Sequence, residues 1–145
     1  MGKPAQSHLD MQEYRLEDQI GFKLRLANQK HLELFANMMP EATPTQFAIL
    51  SRLFADGATS QNQLGRRVGM DAATTKGVVD RLRTKGWVKS TPSATDLRRL
   101  DISLTDAGTE FAKRAIEIAK DISTQTTSNL SIRERDRLLA LLSKL

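Results

Sequence analysis

The chain has 145 residues, 39% of them hydrophobic, and a formal charge of +5 at pH 7, which suits one domain able to bury a core without disulfides or metals. It has no cysteine and two histidines, His8 and His31, which excludes zinc-thiolate sites, disulfide switches and cysteine nucleophiles and leaves too few imidazoles for a histidine-rich metal centre. The opening MGKPAQSHLD lacks the apolar core of a signal peptide and no apolar run approaches the roughly 20 residues that span a bilayer, so a soluble, cytoplasmic protein without a membrane partner is expected.

The elements follow in chain order. A first helix is expected from about Leu9 or Glu13 to Met39, because Leu16, Ile20, Leu24, Ala27, His31, Leu34, Phe35 and Met38 recur at three- and four-residue steps, and Pro40 stops it. His31 lies on that apolar stripe and reads as a hydrogen-bonded core residue. Thr43-Pro44-Thr45-Gln46 forms a capping box with proline at the first helical position, opening a second helix that stops at Gly57. Ser60 to Gln63 reads as another capping box. It starts a short third helix, which ends at Gly69, the tight turn of a helix-turn-helix.

A fourth helix runs from near Asp71 to Lys85, with Ala72, Val78, Val79 and Leu82 inward and Thr74, Thr75, Lys76 and Arg81 outward. Trp87 and Val88 lead into a polar loop that reaches Asp96. A strand then alternates Leu100, Ile102 and Leu104 with Arg99, Asp101 and Ser103, completing a hairpin. From Thr105 a long fifth helix carries two apolar stripes, one for its own core and one for a partner, and the Ser/Thr-rich stretch 123–129 ends it. Ser131 and Glu134 cap a final helix with Leu138, Leu139, Leu141, Leu142 and Leu145. That leucine row either packs on the first helix or joins a second copy of the chain. The fold class is thus mainly α with a small β-hairpin wing: a single domain over 1–145, with a winged helix-turn-helix lobe at 43–105 and dimerisation helices at 9–39 and 106–145.

Charge singles out the lobe. Residues 60–99 hold nine Lys and Arg against the three acids Asp71, Asp80 and Asp96, a net of +6, while the rest of the chain sums to −1. Such a field suits the phosphate backbone of duplex DNA. The fourth helix would enter the major groove, with Thr74, Thr75 and Lys76 in its first turn and Thr75 and Lys76 as base readers. Ser60 and Gln61 stand at a helix N-terminus suited to a phosphate, and Arg81 to the backbone. At the hairpin tip, Asp96 can hold one of Arg98 and Arg99 in a bidentate pair while the other enters the minor groove. Which arginine plays which part stays open at this point.

The wing pattern Asp96-x-Arg98-Arg99, then Leu104-Thr105 and Asp106-x-Gly108, after Asp80-Arg81-Leu82 and Lys85-Gly86, resembles the MarR (multiple antibiotic resistance regulator) family from about Ile20 to Leu145. The resemblance implies a homodimer whose first, fifth and sixth helices interlock and whose two wings grip successive half-sites of a pseudo-palindromic operator. It also implies a repressor released by a small phenolic or aromatic effector, possibly a carboxylate. Lacking cysteine, this chain cannot sense peroxide as some members of that family do. Gly65 stands where many helix-turn-helices carry alanine, at a cost of about 1 kcal/mol in helix stability but with room for close helix contact.

An anionic aromatic effector needs a cation and flat apolar walls, and His8, Tyr14, Arg15 and Phe22 near the first helix, with Phe47 on the second, are the candidates. Neither a metal nor another cofactor is expected, and with no catalytic constellation the chain does not read as an enzyme. The alternative to a ligand-responsive regulator is an architectural DNA-binding protein with no effector, which would discriminate little between sequences.

Overall fold

The structure, a computed structural model, describes residues 13–145, so His8 and a helix start at Leu9 lie outside the described residues. The first long helix, α1, spans Ile20–Met38, and a 3-10 turn at Leu16–Asp18 precedes it. The expected continuous helix is broken because Arg15 and Gln19 take extended backbone. Leu16 and Ile20 are both more than half exposed, so little burial among the described residues rewards winding this segment onto α1.

The helices then follow as α2 (Pro44–Asp56), α3 (Gln61–Val68), α4 (Ala72–Thr84), α5 (Asp106–Thr126) and α6 (Ile132–Leu142). Their starts are local chemistry. Thr43 and Gln46, and likewise Ser131 and Glu134, form reciprocal capping boxes. Ser60 forms only half of one: its Oγ accepts the Gln63 N–H, but the Gln63 side chain accepts instead from the Thr59 hydroxyl at 2.9 Å. Gly69 closes α3 at φ 71, ψ 32, in the left-handed region that glycine enters without strain.

Three strands make an antiparallel sheet in the order β1-β3-β2, with β1 at Thr59–Ser60, β2 at Val88–Pro92 and β3 at Leu100–Leu104. Thr59 pairs with Ile102 and Ser60 with Asp101, while Val88 to Pro92 run against Leu104 to Leu100. The first half of the expected polar loop after Val88, Lys89 to Pro92, is therefore strand. An edge position tolerates Ser90, Thr91 and a terminal Pro92, since one face meets water and proline gives up a donor the edge does not need.

The core gathers Met39, which caps the end of α1, with Ile49, Leu50, Leu64, Val79, Leu82, Ala112 and Ala115 from the four helices α2 to α5, all fully buried. Trp87 stacks on Phe111 with ring centroids 4.0 Å apart, and the Thr105 hydroxyl donates to the Gly86 carbonyl at 2.6 Å. The start of α5 is thereby fastened to the end of the reader helix α4. By contrast α6 buries none of its residues, and Leu138, Leu139, Leu141, Leu142 and Leu145 are 39–85% exposed. Leu138, Leu141 and Leu142 do line a groove with Ile20, Leu24 and Ala27 of α1, but α1 alone leaves the row largely uncovered.

Candidate nucleic-acid interface

Helix α4 is presented by its cap. Asp71 Oδ1 accepts the Thr74 N–H at 2.7 Å, and that bond holds the Asp71 carboxyl below its ordinary value. From this start the helix turns Thr75, Val78, Val79 and Leu82 inward. Thr75 is 1% exposed, and its hydroxyl donates to the Asp71 carbonyl at 2.7 Å. The expectation that Thr75 points outward and reads bases is corrected: its Oγ1 sits where a Cβ on Gly65 would come within 2.6 Å. Gly65 and Thr75 are the contact between α3 and α4, and close approach explains the glycine.

The outward face keeps Thr74, Lys76 and Arg81 exposed. Lys76 Nζ and Arg83 Nη1 each meet one oxygen of Asp80 at 2.8 Å, and both contacts, Lys76 first, hold the Asp80 carboxyl below its ordinary value. Arg83 also donates to Ser90 Oγ at 2.7 Å, tying α4 to the wing strand β2. Arg81 is in no ion pair among the described residues. Arg83 was not singled out in the sequence; its spacing from Asp80 was visible there, but the partner Ser90 was not. Lys85 is likewise structural: its Nζ donates to the Glu41 carbonyl at 2.6 Å and to Gln46 Oε1 at 3.0 Å, and lies over the Trp87 ring.

Ser60 and Gln61 open α3, both half-buried, and the Ser60 hydroxyl is occupied by its cap. At the wing, Asp96 does not form the expected bidentate pair. One oxygen, Oδ1, accepts the Arg98 backbone N–H at 3.0 Å and meets Arg98 Nε at 3.4 Å, which makes a tight local turn rather than a fork-to-fork pair. Arg99 goes elsewhere, to Asp101 Oδ1 and Ser93 Oγ, both at 3.4 Å. Thr74, Lys76, Arg81 and Arg98 are exposed on the reader helix and the wing, and Arg99 beside them keeps half of its side chain exposed despite its two contacts.

The expected effector residues are not brought together. Tyr14 is exposed, Arg15 pairs with Asp18 at 3.7 Å, and Phe22 is half-buried under Arg25 at 5.4 Å. Phe47 packs on Phe35 and walls a cleft of about 470 Å³ with Ser51, Ile116, Lys120, Ser123 and Arg135, among others, a lining that includes none of the other three. His31 is half-buried, its Nδ1 2.9 Å from Thr126 Oγ1, and its ring lies 6.2 Å from that of Phe35. No cluster of residues suited to a metal ion, and no helix long and apolar enough to cross a membrane, occurs among the described residues.

Comparison with known proteins agrees with this arrangement. Residues 42–100 match the MarR family. The HTH-type transcriptional repressor NicR of Pseudomonas putida is 33% identical over 98% of this chain and 91% of its own length. A probable transcriptional regulator from Pseudomonas aeruginosa superposes with a TM-score of 0.84 at 46% identity, covering 90% of this chain and 98% of that one. Bordetella bronchiseptica BpsR, whose structure describes regulation of its DNA binding by 6-hydroxynicotinic acid, superposes at 0.85 with 29% identity over 90% of this chain and 95% of its own. With α4 presented by Asp71 beside a cationic wing, and with likeness over nearly its whole length, this chain belongs to the MarR family of transcriptional regulators.

Proposed function

We propose that the chain is a homodimeric repressor that holds a pseudo-palindromic DNA duplex with two winged helices and releases it when a small aromatic acid binds. The observation that carries this reading is the pairing of an exposed cationic reader with an unsatisfied apolar end. Helix α4 and the wing offer Lys76, Arg81 and Arg98 at one end of the shared core, while the leucines of α6, which line a groove with Leu24 and Ala27 of α1, stay 39–85% exposed. A second copy covers that row most economically, because two identical apolar faces meet isologously. It also sets the two readers about one helical turn apart, roughly 34 Å, on one side of the duplex.

Release requires the effector to favour a different spacing of the readers. The structure supplies a linkage: α5 touches the reader through Thr105, Gly86, Trp87 and Phe111, and its other end lines the cleft with Phe47, Lys120 and Arg135. Lys120 is engaged by Glu117 at 2.9 Å, whereas Arg135, half-buried, is in no ion pair among the described residues. An aromatic carboxylate fits that cleft with its ring on Phe47 and its charge on Arg135. Phe47 is kept from the effector set expected above, and Arg135 is added to it.

The test is titration of 6-hydroxynicotinic acid and of benzoate against the chain bound to a duplex that it has itself enriched from a random library. Release by either acid, lost in Arg135→Ala while DNA binding persists, is the expected result. Failure of both acids to release the duplex at saturating concentration, with DNA binding intact, would contradict the effector reading.

A further inference from the structure

The two arginines at the wing tip differ in what holds them. The Arg98 side chain is 92% exposed, and among the described residues its guanidinium meets only Asp96, through Nε at 3.4 Å. Arg99 bridges two places. Its Nη2 donates to Ser93 Oγ, and its Nε meets Asp101 Oδ1. Ser93, 2% exposed, is the hub of the tip: its Oγ accepts the N–H groups of Thr95 and Asp96, each at 3.3 Å, and its own N–H donates to the Arg99 carbonyl at 2.9 Å.

Asp101 stands in β3 between Ser60 of β1 and Thr91 of β2, at the root of the wing. Its side chain is 14% exposed, and Oδ1 is buried and accepts no hydrogen bond. The Arg99 guanidinium is the only cation within 4.0 Å of it among the described residues. Taking Arg99 away would strand a desolvated carboxylate oxygen, which is costlier than losing an exposed pair. Nucleic acid can draw Arg98 from Asp96 at little cost, but not Arg99 from Asp101.

Resting on the DNA-reading function proposed above, we propose that Arg99 is a positioning residue. Clamped between Ser93 and Asp101, it ties the wing tip to the sheet and fixes its direction, and Arg98 alone carries charge from the tip to the duplex. Asp101 and Ser93 are then parts of the reader although neither touches DNA.

Two measurements on the full chain test the assignment. The first is affinity for the library-enriched duplex across a salt series, in Arg98→Ala, Arg99→Ala, Arg99→Lys and Asp101→Asn. Losing a cation–phosphate contact lowers the slope of log K against log salt by about 0.9, so Arg98→Ala lowers it by about one contact. Arg99→Ala weakens binding with the slope unchanged. Arg99→Lys does not restore affinity, because an ammonium lacks the fork that reaches two acceptors, and Asp101→Asn combined with Arg99→Ala binds no worse than Arg99→Ala alone. The second is amide hydrogen exchange without DNA, in which Arg99→Ala and Arg99→Lys speed exchange at Thr95, Asp96 and Arg99, or the residue replacing it, and Arg98→Ala does not. A fall in salt slope in Arg99→Ala equal to that in Arg98→Ala, with recovery by lysine, would overturn the clamp, as would tip amides indifferent to Arg99. Should the parent chain enrich no duplex, the DNA-reading function fails, and the exchange measurement still decides whether Arg99 holds the tip.

Discussion

Gly65 and Thr75 set the separation of the two helices in the reader, and each is small for that reason. A methyl on Gly65 would meet Thr75 Oγ1 and also approach the Met70 carbonyl at 3.2 Å. Gly65→Ala gains about 1 kcal/mol of helix propensity, but the forced shift costs about 1–3 kcal/mol. The net effect is destabilising, with a fall in Tm of roughly 2–4 °C for each kcal/mol lost. Adding Thr75→Ala removes the obstructing hydroxyl and recovers part of the fall; thermal melts of the single and double variants check this, and a Gly65→Ala chain as stable as its parent would contradict it. Asp80 acts in the opposite direction on function. Its carboxylate engages Lys76 and Arg83, so a phosphate must compete for Lys76. Asp80→Asn should raise affinity for bulk, sheared DNA at low salt more than for the enriched duplex, narrowing their ratio in a competition assay. Asp71 makes the reader helix sensitive to acid. Because the folded carboxyl lies below its ordinary 3.8, its contribution is complete above that value and is lost as pH falls through the lowered one. The Tm gap between the parent and Asp71→Ala is therefore full at pH values well above 3.8 and closes as pH falls through the lowered value.

Helix α6 is the element whose chemistry looks outward. It has a reciprocal capping box at Ser131 and Glu134 and no buried residue, so its start is encoded locally while its leucines await a surface. Leu138→Asp or Leu142→Asp should leave the lobe folded and give a monomer in sedimentation equilibrium; a dimer surviving both changes would place the interface elsewhere. The elements also show what could be read in advance. Helix starts and stops were legible because Thr43, Ser131, Gly57 and Gly69 act on their own few neighbours. Strand β1 was not, since two residues carry no periodicity and exist as a strand only through pairing with Ile102 and Asp101 across the chain. The inward place of Thr75 is written in its spacing of three, four and seven residues to Val78, Val79 and Leu82, although its hydroxyl makes it look like a surface residue. The roles of Arg83, Arg99 and Asp101 needed the assembled wing, because Ser90 and Ser93 reach their arginines only after β2 and β3 pair.

In the whole molecule, α5 shares the reader's core and runs on to an open apolar end, its first turn bound to Trp87 and Gly86 and its last turns facing α1 across His31 and Thr126. That layout makes the distance between readers a property of the pair of chains, which neither chain has alone, and so the quantity that the proposed effector would alter. The most direct test of this account is the mass and footprint of the chain on its library-enriched duplex, by sedimentation and hydroxyl-radical cleavage. The account predicts two chains per duplex, protecting two patches on one side about 34 Å apart, with both patches lost together when α6 is removed by ending the chain before Ser131. One chain per duplex with a single patch, or a truncated chain that protects both, would contradict it.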